Sequence, residues 1–220
     1  RRLNLSFKLP GRYSLKIWSM FVISLYNLKG GVGKTTLSLN LAYFFAKRMK
    51  VAIIDTDPQA STTHLKEILK KHQIDLIPAS KIIEVQHIYD IAIIDTPPYL
   101  TTTLPDFFKF SDFVLVPTKA SILDIMAIRA TVDLLQKAQE EKTNLKAAIV
   151  LNMIKSSTTL TEDIKDALRV YKFPLMQSMV TDRVSYTRSP ITGGVFETDD
   201  EKAQDEILNL AKEIIAYLNQ

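Results

Sequence analysis

The sequence predicts an α/β fold: a three-layer, mostly parallel twisted sheet with helices on both faces. Short β-branched runs alternate with longer amphipathic ones along the chain, the pattern of strands joined by crossover helices. The short runs are almost unbroken in apolar character, as in Ile91-Ala92-Ile93-Ile94. That marks strands buried on both faces rather than half-exposed ones. A chain of 220 residues with 46% hydrophobic composition can bury one substantial core, and nothing in it demands a second.

Taken in order, the first strand is expected at 21–26, carried by Phe21-Val22-Ile23-Ser24-Leu25, with a helix at 34–48 after a glycine-rich turn. A strand at 51–55 leads to a helix at 61–71, and strands follow at 74–77, 90–95 and 113–117. A helix at 122–140, a strand at 146–151, and helices at 160–171 and 200–218 complete the pattern. No internal repeat, low-complexity tract or Pro/Ser linker interrupts residues 20–220, which therefore read as a single domain. Ligands of such open sheets bind at the carboxyl ends of the strands.

Cysteine is absent, which excludes disulfides, thiolate metal sites, iron–sulfur clusters and cysteine nucleophiles. Any metal must take oxygen or imidazole ligands. The formal charge of +4 is unevenly placed: Arg1, Arg2, Lys8, Arg12 and Lys16 precede Met20 with no acid among them, and without those five it becomes −1. Bulk basicity therefore says little about partners. Residues 1–19 show neither helical nor strand period and read as a tag or other non-native extension, with Met20 as the start. The apolar run 17–28 is too short to cross a bilayer.

Chemistry begins directly after the first strand, in Lys29-Gly30-Gly31-Val32-Gly33-Lys34-Thr35-Thr36. Glycines let the backbone curl so that several N–H groups converge on phosphate oxygens, and the helix N-terminus that follows adds partial positive charge. In such a loop Lys34 reaches the β and γ phosphates of ATP, and the Thr35 hydroxyl ligates Mg2+. The common pattern G-x-x-x-x-G-K-[ST] is not strictly met, because position 28 is Leu; an extra lysine, Lys29, stands before the paired glycines instead.

Two further strands end in carboxylates. Ile54-Asp55-Thr56-Asp57-Pro58-Gln59 sets two acids at i and i+2, able to turn the same way, one toward metal-bound water and one toward an attacking water. By itself Asp-x-Asp-Pro also makes a strand-ending turn. The run from Tyr89 through Ile94 closes on Asp95-Thr96-Pro97-Pro98, the form of a Walker B aspartate that orders Mg2+ through its water shell. The prolines stiffen the exit of the chain.

Together these stretches, with Phe113-Val114-Leu115-Val116-Pro117 and the helix behind it, resemble the ParA-type DNA-partitioning ATPases of the deviant Walker A superfamily of P-loop NTPases, which also includes MinD. The likeness covers residues 20–220. The tail, Thr181-Asp182-Arg183-Val184-Ser185-Tyr186 through Gly193-Gly194-Val195-Phe196-Glu197, looks closest to the short ParF-like members, which lack an N-terminal DNA-binding domain. The resemblance implies that Lys29 reaches across an ATP-dependent homodimer to the other subunit's phosphates, so that a monomer hydrolyses ATP weakly. It further implies that Asp57 orients water, that Asp55 lies on the metal side, that Asp95 is the Walker B residue and that Asn152 contacts adenine. An Asn ending a strand is also a common turn former.

The same resemblance implies a cytoplasmic, nucleoid-associated protein that coats double-stranded DNA without reading sequence. A centromere-binding protein of the ParB or ParG kind would stimulate hydrolysis, and plasmid or chromosome would be segregated. Lysine and arginine contacts to phosphates would supply the affinity, with Lys155, Lys165, Arg169, Lys172, Arg183 and Arg188 as candidates. No helix-turn-helix or zinc-finger pattern offers sequence readout.

A related ATPase positioning a protein or membrane cargo, as MinD does, is the competing expectation. The C-terminal stretch 201–220 has apolar residues at helical spacing but only Lys202 and Lys212 against Glu201, Asp205, Glu206 and Glu213. A membrane-surface helix carries a basic polar face, so packing against the domain is expected here instead. His64, His72 and His87 match no metal spacing, and Phe107, Phe108 and Phe110 are expected in the core rather than as a base-stacking surface. A small-molecule ligase or a reductase of the same fold is disfavoured by Asp55-Thr56-Asp57-Pro58-Gln59 and by the lack of cysteine.

Overall fold

A computed structural model describes residues 5–8, 14–17, 20–56, 63–99, 104–155 and 159–219. Two short strands, β1 (Leu5–Lys8) and β2 (Ser14–Ile17), pair antiparallel with Leu5 opposite Ile17 and Lys8 opposite Ser14. This corrects the reading of residues 1–19 as lacking strand period. Both tetrapeptides alternate polar and apolar residues, a signal too short to stand out until the two segments are paired.

The remaining strands form one parallel sheet: β3 (Phe21–Leu25), β4 (Val51–Asp55), β5 (Ile74–Pro78), β6 (Ile91–Asp95), β7 (Phe113–Thr118), β8 (Lys146–Ile154) and β9 (Leu175–Thr181). Their spatial order is β5-β4-β6-β3-β7-β8-β9. The chain builds outward on one side of β3, returns to it through β6, and then builds outward on the other. The carboxyl end of β3 is thus the topological switch point, where open α/β sheets hold their ligands.

Alternation along each strand sorts its residues to two faces. Ile23, Leu25, Val51, Ile53, Ile91, Ile93, Phe113 and Leu115 pack with α1 (Lys34–Ala46), α2 (Thr63–Lys71), α6 (Val184–Thr192) and α7 (Glu201–Leu218). Val22, Ala52, Ile54, Ala92, Ile94, Val114 and Val116 pack with α3 (Leu104–Phe110), α4 (Ile122–Glu141) and α5 (Thr159–Leu168). Phe107 and Phe108 lie buried in this second core, as expected.

Three elements of residues 20–220 escaped the sequence reading: α3, α6 and β9. Helix α6 contains Pro190, which cannot donate to the carbonyl four residues back and normally argues against a helix. Here the Ser189 hydroxyl donates to the Tyr186 carbonyl at 2.8 Å, and the helix continues. Strand β9 is a sheet edge, and its register with β8 is irregular. Its backbone is met from α7: the Gln177 and Ser178 amides donate to the two Glu213 carboxylate oxygens, each at 2.8 Å, and the Thr181 amide donates to Glu206 at 3.1 Å. The acids that made the C-terminal helix unlike a membrane helix thus cover an exposed edge. No helix among the described residues is long and apolar enough to cross a membrane.

Helix α1 is enclosed on nearly all sides, with residues 37–45 buried throughout. Its one central amide, Asn40, is fully satisfied: Nδ2 donates to the Thr36 carbonyl and the Ser189 hydroxyl, both at 2.8 Å, and Oδ1 accepts from the Val195 amide at 2.9 Å. This ties the first turn of α1 to α6 and to the turn that follows it. Replacing Asn40 with alanine should lower unfolding free energy by about 2 kcal/mol, because the buried Val195 N–H is left without its acceptor; urea denaturation measures it.

Candidate functional site

The turn between β3 and α1 is built by two left-handed glycines, Gly31 at φ 71° and Gly33 at φ 89°, a conformation that costs a side-chain-bearing residue energy. Gly33 is the N-cap of α1, so the first amides of that helix are left facing the loop. Space enforces the same choice, since a Cβ on Gly33 would lie 2.2 Å from Asn152 Nδ2.

The entrance of the loop is held from below. Asn27, buried at the end of β3, donates from Nδ2 to the Pro117 carbonyl at 2.8 Å and accepts at Oδ1 from the Lys29 amide at 2.9 Å. The Thr131 hydroxyl of α4 accepts from the Leu28 amide at 3.2 Å and meets the same Asn27 oxygen at 3.3 Å. At the exit, Asn152 Nδ2 donates to the Val32 carbonyl at 2.8 Å. Buried polar groups paired in this way stiffen what surrounds them. Asn152 was expected at adenine; the structure gives its amide to the loop and buries it, while its neighbour Met153 lines the cavity.

A cavity of about 440 Å³ opens over the loop. Among the described residues its polar wall is Gly31, Gly33, Lys34, Thr35, Thr36, Ser38, Thr56, Asp95 and Thr96, and its apolar wall includes Leu39, Ile53, Leu65, Leu69 and Leu76. Lys34 is buried, and its ammonium donates to the Asn27 carbonyl at 2.9 Å and the Lys29 carbonyl at 3.2 Å. Burial holds its pKa below the usual lysine value, and the Asp95 carboxylate opposes that shift. The Ser38 hydroxyl donates to Asp95 at 3.2 Å. Thr56 and Thr96 cap strand ends, donating to the Asp95 and Leu25 carbonyls, each at 2.6 Å.

Sheet register sets the acids. Asp55 on β4 and Asp95 on β6 are direct partners across the ladder, and Leu25 on β3 is level with Asp95. Asp57 lies outside the described residues. Thr35 and Asp95 face one cavity and offer oxygen donors only, the hard set that suits Mg2+ with water and phosphate completing its shell.

Lys29 behaves differently from Lys34. Its ammonium is not in the cavity wall but on Asp124 of α4, at 2.8 Å. Asp124 is itself nearly buried and pairs with the hydroxyl of Ser121, the residue that caps α4 by accepting from the Asp124 amide at 3.2 Å. The expected DNA contacts are scattered. Lys165 and Arg169 make i,i+3 pairs with Glu162 and Asp166, and Arg183 is engaged by Glu206 at 3.2 Å and Asp200 at 3.6 Å. Lys155, Lys172 and Arg188 are exposed, but Lys155 follows the carboxyl end of β8 whereas Lys172 precedes the amino end of the neighbouring parallel strand β9, at the opposite end of the sheet's strands.

Sequence reasoning missed Asn27, Asp124 and Thr131. Ser121 and Asp124 carry a capping signal, Ser-x-x-Asp at a helix start, which explains the helix but not its second contact with Lys29. Asn27 and Thr131 carry no signal, since their partners are about a hundred positions away.

Residues 23–195 match the family profile described as the CobQ/CobB/MinD/ParA nucleotide binding domain. A relative in Halothiobacillus neapolitanus, the maintenance of carboxysome distribution protein A, is 28% identical over 89% of this chain and 96% of its own. The virulence plasmid ParA family protein pGP5-D of Chlamydia muridarum is 31% identical over 88% of this chain and 91% of its own. Among solved structures, apo McdA of Cyanothece superposes with a TM-score of 0.73 at 17% identity, covering 89% of this chain and 99% of the other.

Proposed function

The chain belongs to the CobQ/CobB/MinD/ParA family of nucleotide-binding domains, as a ParA-type member of the MinD superfamily of P-loop ATPases, and from that premise we propose that it is a Mg-dependent partition ATPase that dimerises on ATP, binds DNA without sequence preference and is stimulated by a centromere-binding partner. The observation that carries this reading is the position of Lys29. A lysine at the head of the phosphate loop whose ammonium rests on Asp124, outside its own cavity, is available to the nucleotide of a second subunit.

In this mechanism the α1 amides and Lys34 bind the ATP phosphates, with Lys34 exchanging two loop carbonyls for phosphate oxygens. Thr35 and Asp95 would hold Mg2+, which would supply neutralisation of phosphate charge. Asp55 supports the metal side, and Asp57 is assigned the orientation of the attacking water. Asn27 and Thr131 fix the loop while Lys29 leaves Asp124 for the partner's phosphates. Hydrolysis is weak until the dimer forms.

DNA contact is assigned to Lys155, Lys165, Arg169, Lys172 and Arg188. Surface pairs such as Lys165–Glu162 are worth little in water, so phosphate can displace them. Arg183, held by two acids, is assigned a structural role. The protein would act in the cytoplasm on the nucleoid. A second reading, positioning of a protein cargo, draws on the carboxysome-distribution relative, which spans 89% of the chain.

Gel shift of non-specific double-stranded DNA with ATP, with ADP and without nucleotide, at two salt concentrations, tests the proposal. Binding with ATP alone is expected, weakening roughly tenfold or more from 50 to 200 mM salt. Lys29→Ala should abolish DNA- and partner-stimulated hydrolysis while ATP binding persists. Normal stimulated hydrolysis by that variant overturns the shared-site mechanism, and DNA binding in no nucleotide state shifts the function to protein cargo.

A further inference from the structure

The buried run of α1 contains two small polar side chains, Ser38 and Asn40. Burying a hydroxyl costs free energy unless it finds a partner, and alanine suits a helix interior better than serine. Asn40 is engaged in tying α1 to α6 and the turn after it. Ser38 faces the cavity, whose wall it shares with Thr35 and Asp95. Thr35 and Ser38 are neighbours on one helix face because they stand three residues apart. A second hydroxyl therefore lies beside the one assigned to the metal, and it donates to Asp95 Oδ1 at 3.2 Å.

The terminal torsion of an aspartate is soft, so a strand end fixes where Asp95 begins but not where its carboxylate points. The Asp95 backbone is held by its ladder partners Leu25 and Asp55 and by the Thr56 hydroxyl, which donates to the Asp95 carbonyl at 2.6 Å. None of these contacts reaches the carboxylate. Lys34 acts on it by charge, and charge alone selects neither oxygen. Ser38 selects one. We propose that Ser38 is the positioning residue for Asp95: its hydroxyl holds Oδ1 and thereby sets the orientation in which the carboxylate receives Mg2+ and its water. The inference rests on the metal reading above and adds to it a residue beyond the loop motif 29–36. Ser38 acts through Asp95 rather than on the reacting atoms.

Mn2+ binding to the full chain saturated with a non-hydrolysable ATP analogue, read from the electron paramagnetic resonance of free Mn2+ and corrected for the analogue alone, tests this without turnover. Ser38→Ala should weaken Mn2+ binding about 10- to 100-fold, the loss typical when a contact that orients a metal's partner is removed. Affinity for the analogue in EDTA should stay within about twofold of wild type. Ser38→Thr keeps a hydroxyl on the β-carbon and should restore most of the Mn2+ affinity. Hydrolysis by Ser38→Ala should recover as Mg2+ is raised. A residue that merely packs would instead lower the urea midpoint and leave metal affinity alone, and that pattern overturns the inference. So does a Ser38→Thr variant that binds Mn2+ no better than Ser38→Ala. If wild type and Ser38→Ala bind Mn2+ equally well, the inference is overturned and the metal reading stands. If the wild type with the analogue binds no Mn2+, the metal reading itself fails and the inference falls with it.

Discussion

Gly33→Ala should abolish nucleotide binding and unfold the protein at markedly lower denaturant. Two costs add. A β-carbon in the left-handed conformation at φ 89° costs roughly 1–2 kcal/mol. The same atom would stand 2.2 Å from Asn152 Nδ2, so the amide must move and release the Val32 carbonyl, both in a buried setting where an unmade hydrogen bond costs about 1–3 kcal/mol. A loss on the order of 3 kcal/mol is therefore expected by urea denaturation. Retention of wild-type stability would mean that Asn152 does not brace the loop. Gly31 has the same handedness but open space where a β-carbon would stand, so Gly31→Ala should cost only the conformational part.

Lys34→Ala should separate binding from stability. Its ammonium is the buried cation in the cavity wall, and losing a charged partner of the phosphates costs about 2–5 kcal/mol, or roughly 30-fold to several-thousand-fold in ATP affinity. Stability should hold or rise slightly at neutral pH, because the protonated amine is buried at a cost. The sign follows from its lowered pKa. Between that value and the ordinary 10.5 the unfolded chain binds more protons, so wild-type stability rises with pH across this alkaline window; the variant lacks that rise. ATP affinity of the wild type should run the other way and fall through the Lys34 pKa, since phosphate favours the charged form. Isothermal titration and thermal melts at neutral and alkaline pH read both trends.

Recognition of the fold came from unbroken apolar runs, because a parallel sheet buries both faces of every strand and leaves no room for alternation. The runs at 51–55 and 113–117 became β4 and β7 with little change of boundary. Failure came where tertiary contacts substitute for local signals. Pro190 is tolerated because Ser189 satisfies the carbonyl it strands, and β9 is irregular at the sheet edge, with α7 glutamates meeting its amides.

The sequence by itself determined the phosphate loop, the two strand-ending acids at 55 and 95, and the capping signal of α4, since each depends on neighbours within a few residues and on backbone conformations that only certain side chains allow. Tertiary structure decided what those groups touch. It set Asp55 level with Asp95 through sheet register, gave the Asn152 amide to the Val32 carbonyl, and placed Lys29 on Asp124 while Lys34 stayed in the cavity. Two lysines five residues apart in one loop thereby hold different positions. The reason is physical: contacts across about a hundred residues arise from the order in which strands pack, and no local pattern encodes that order.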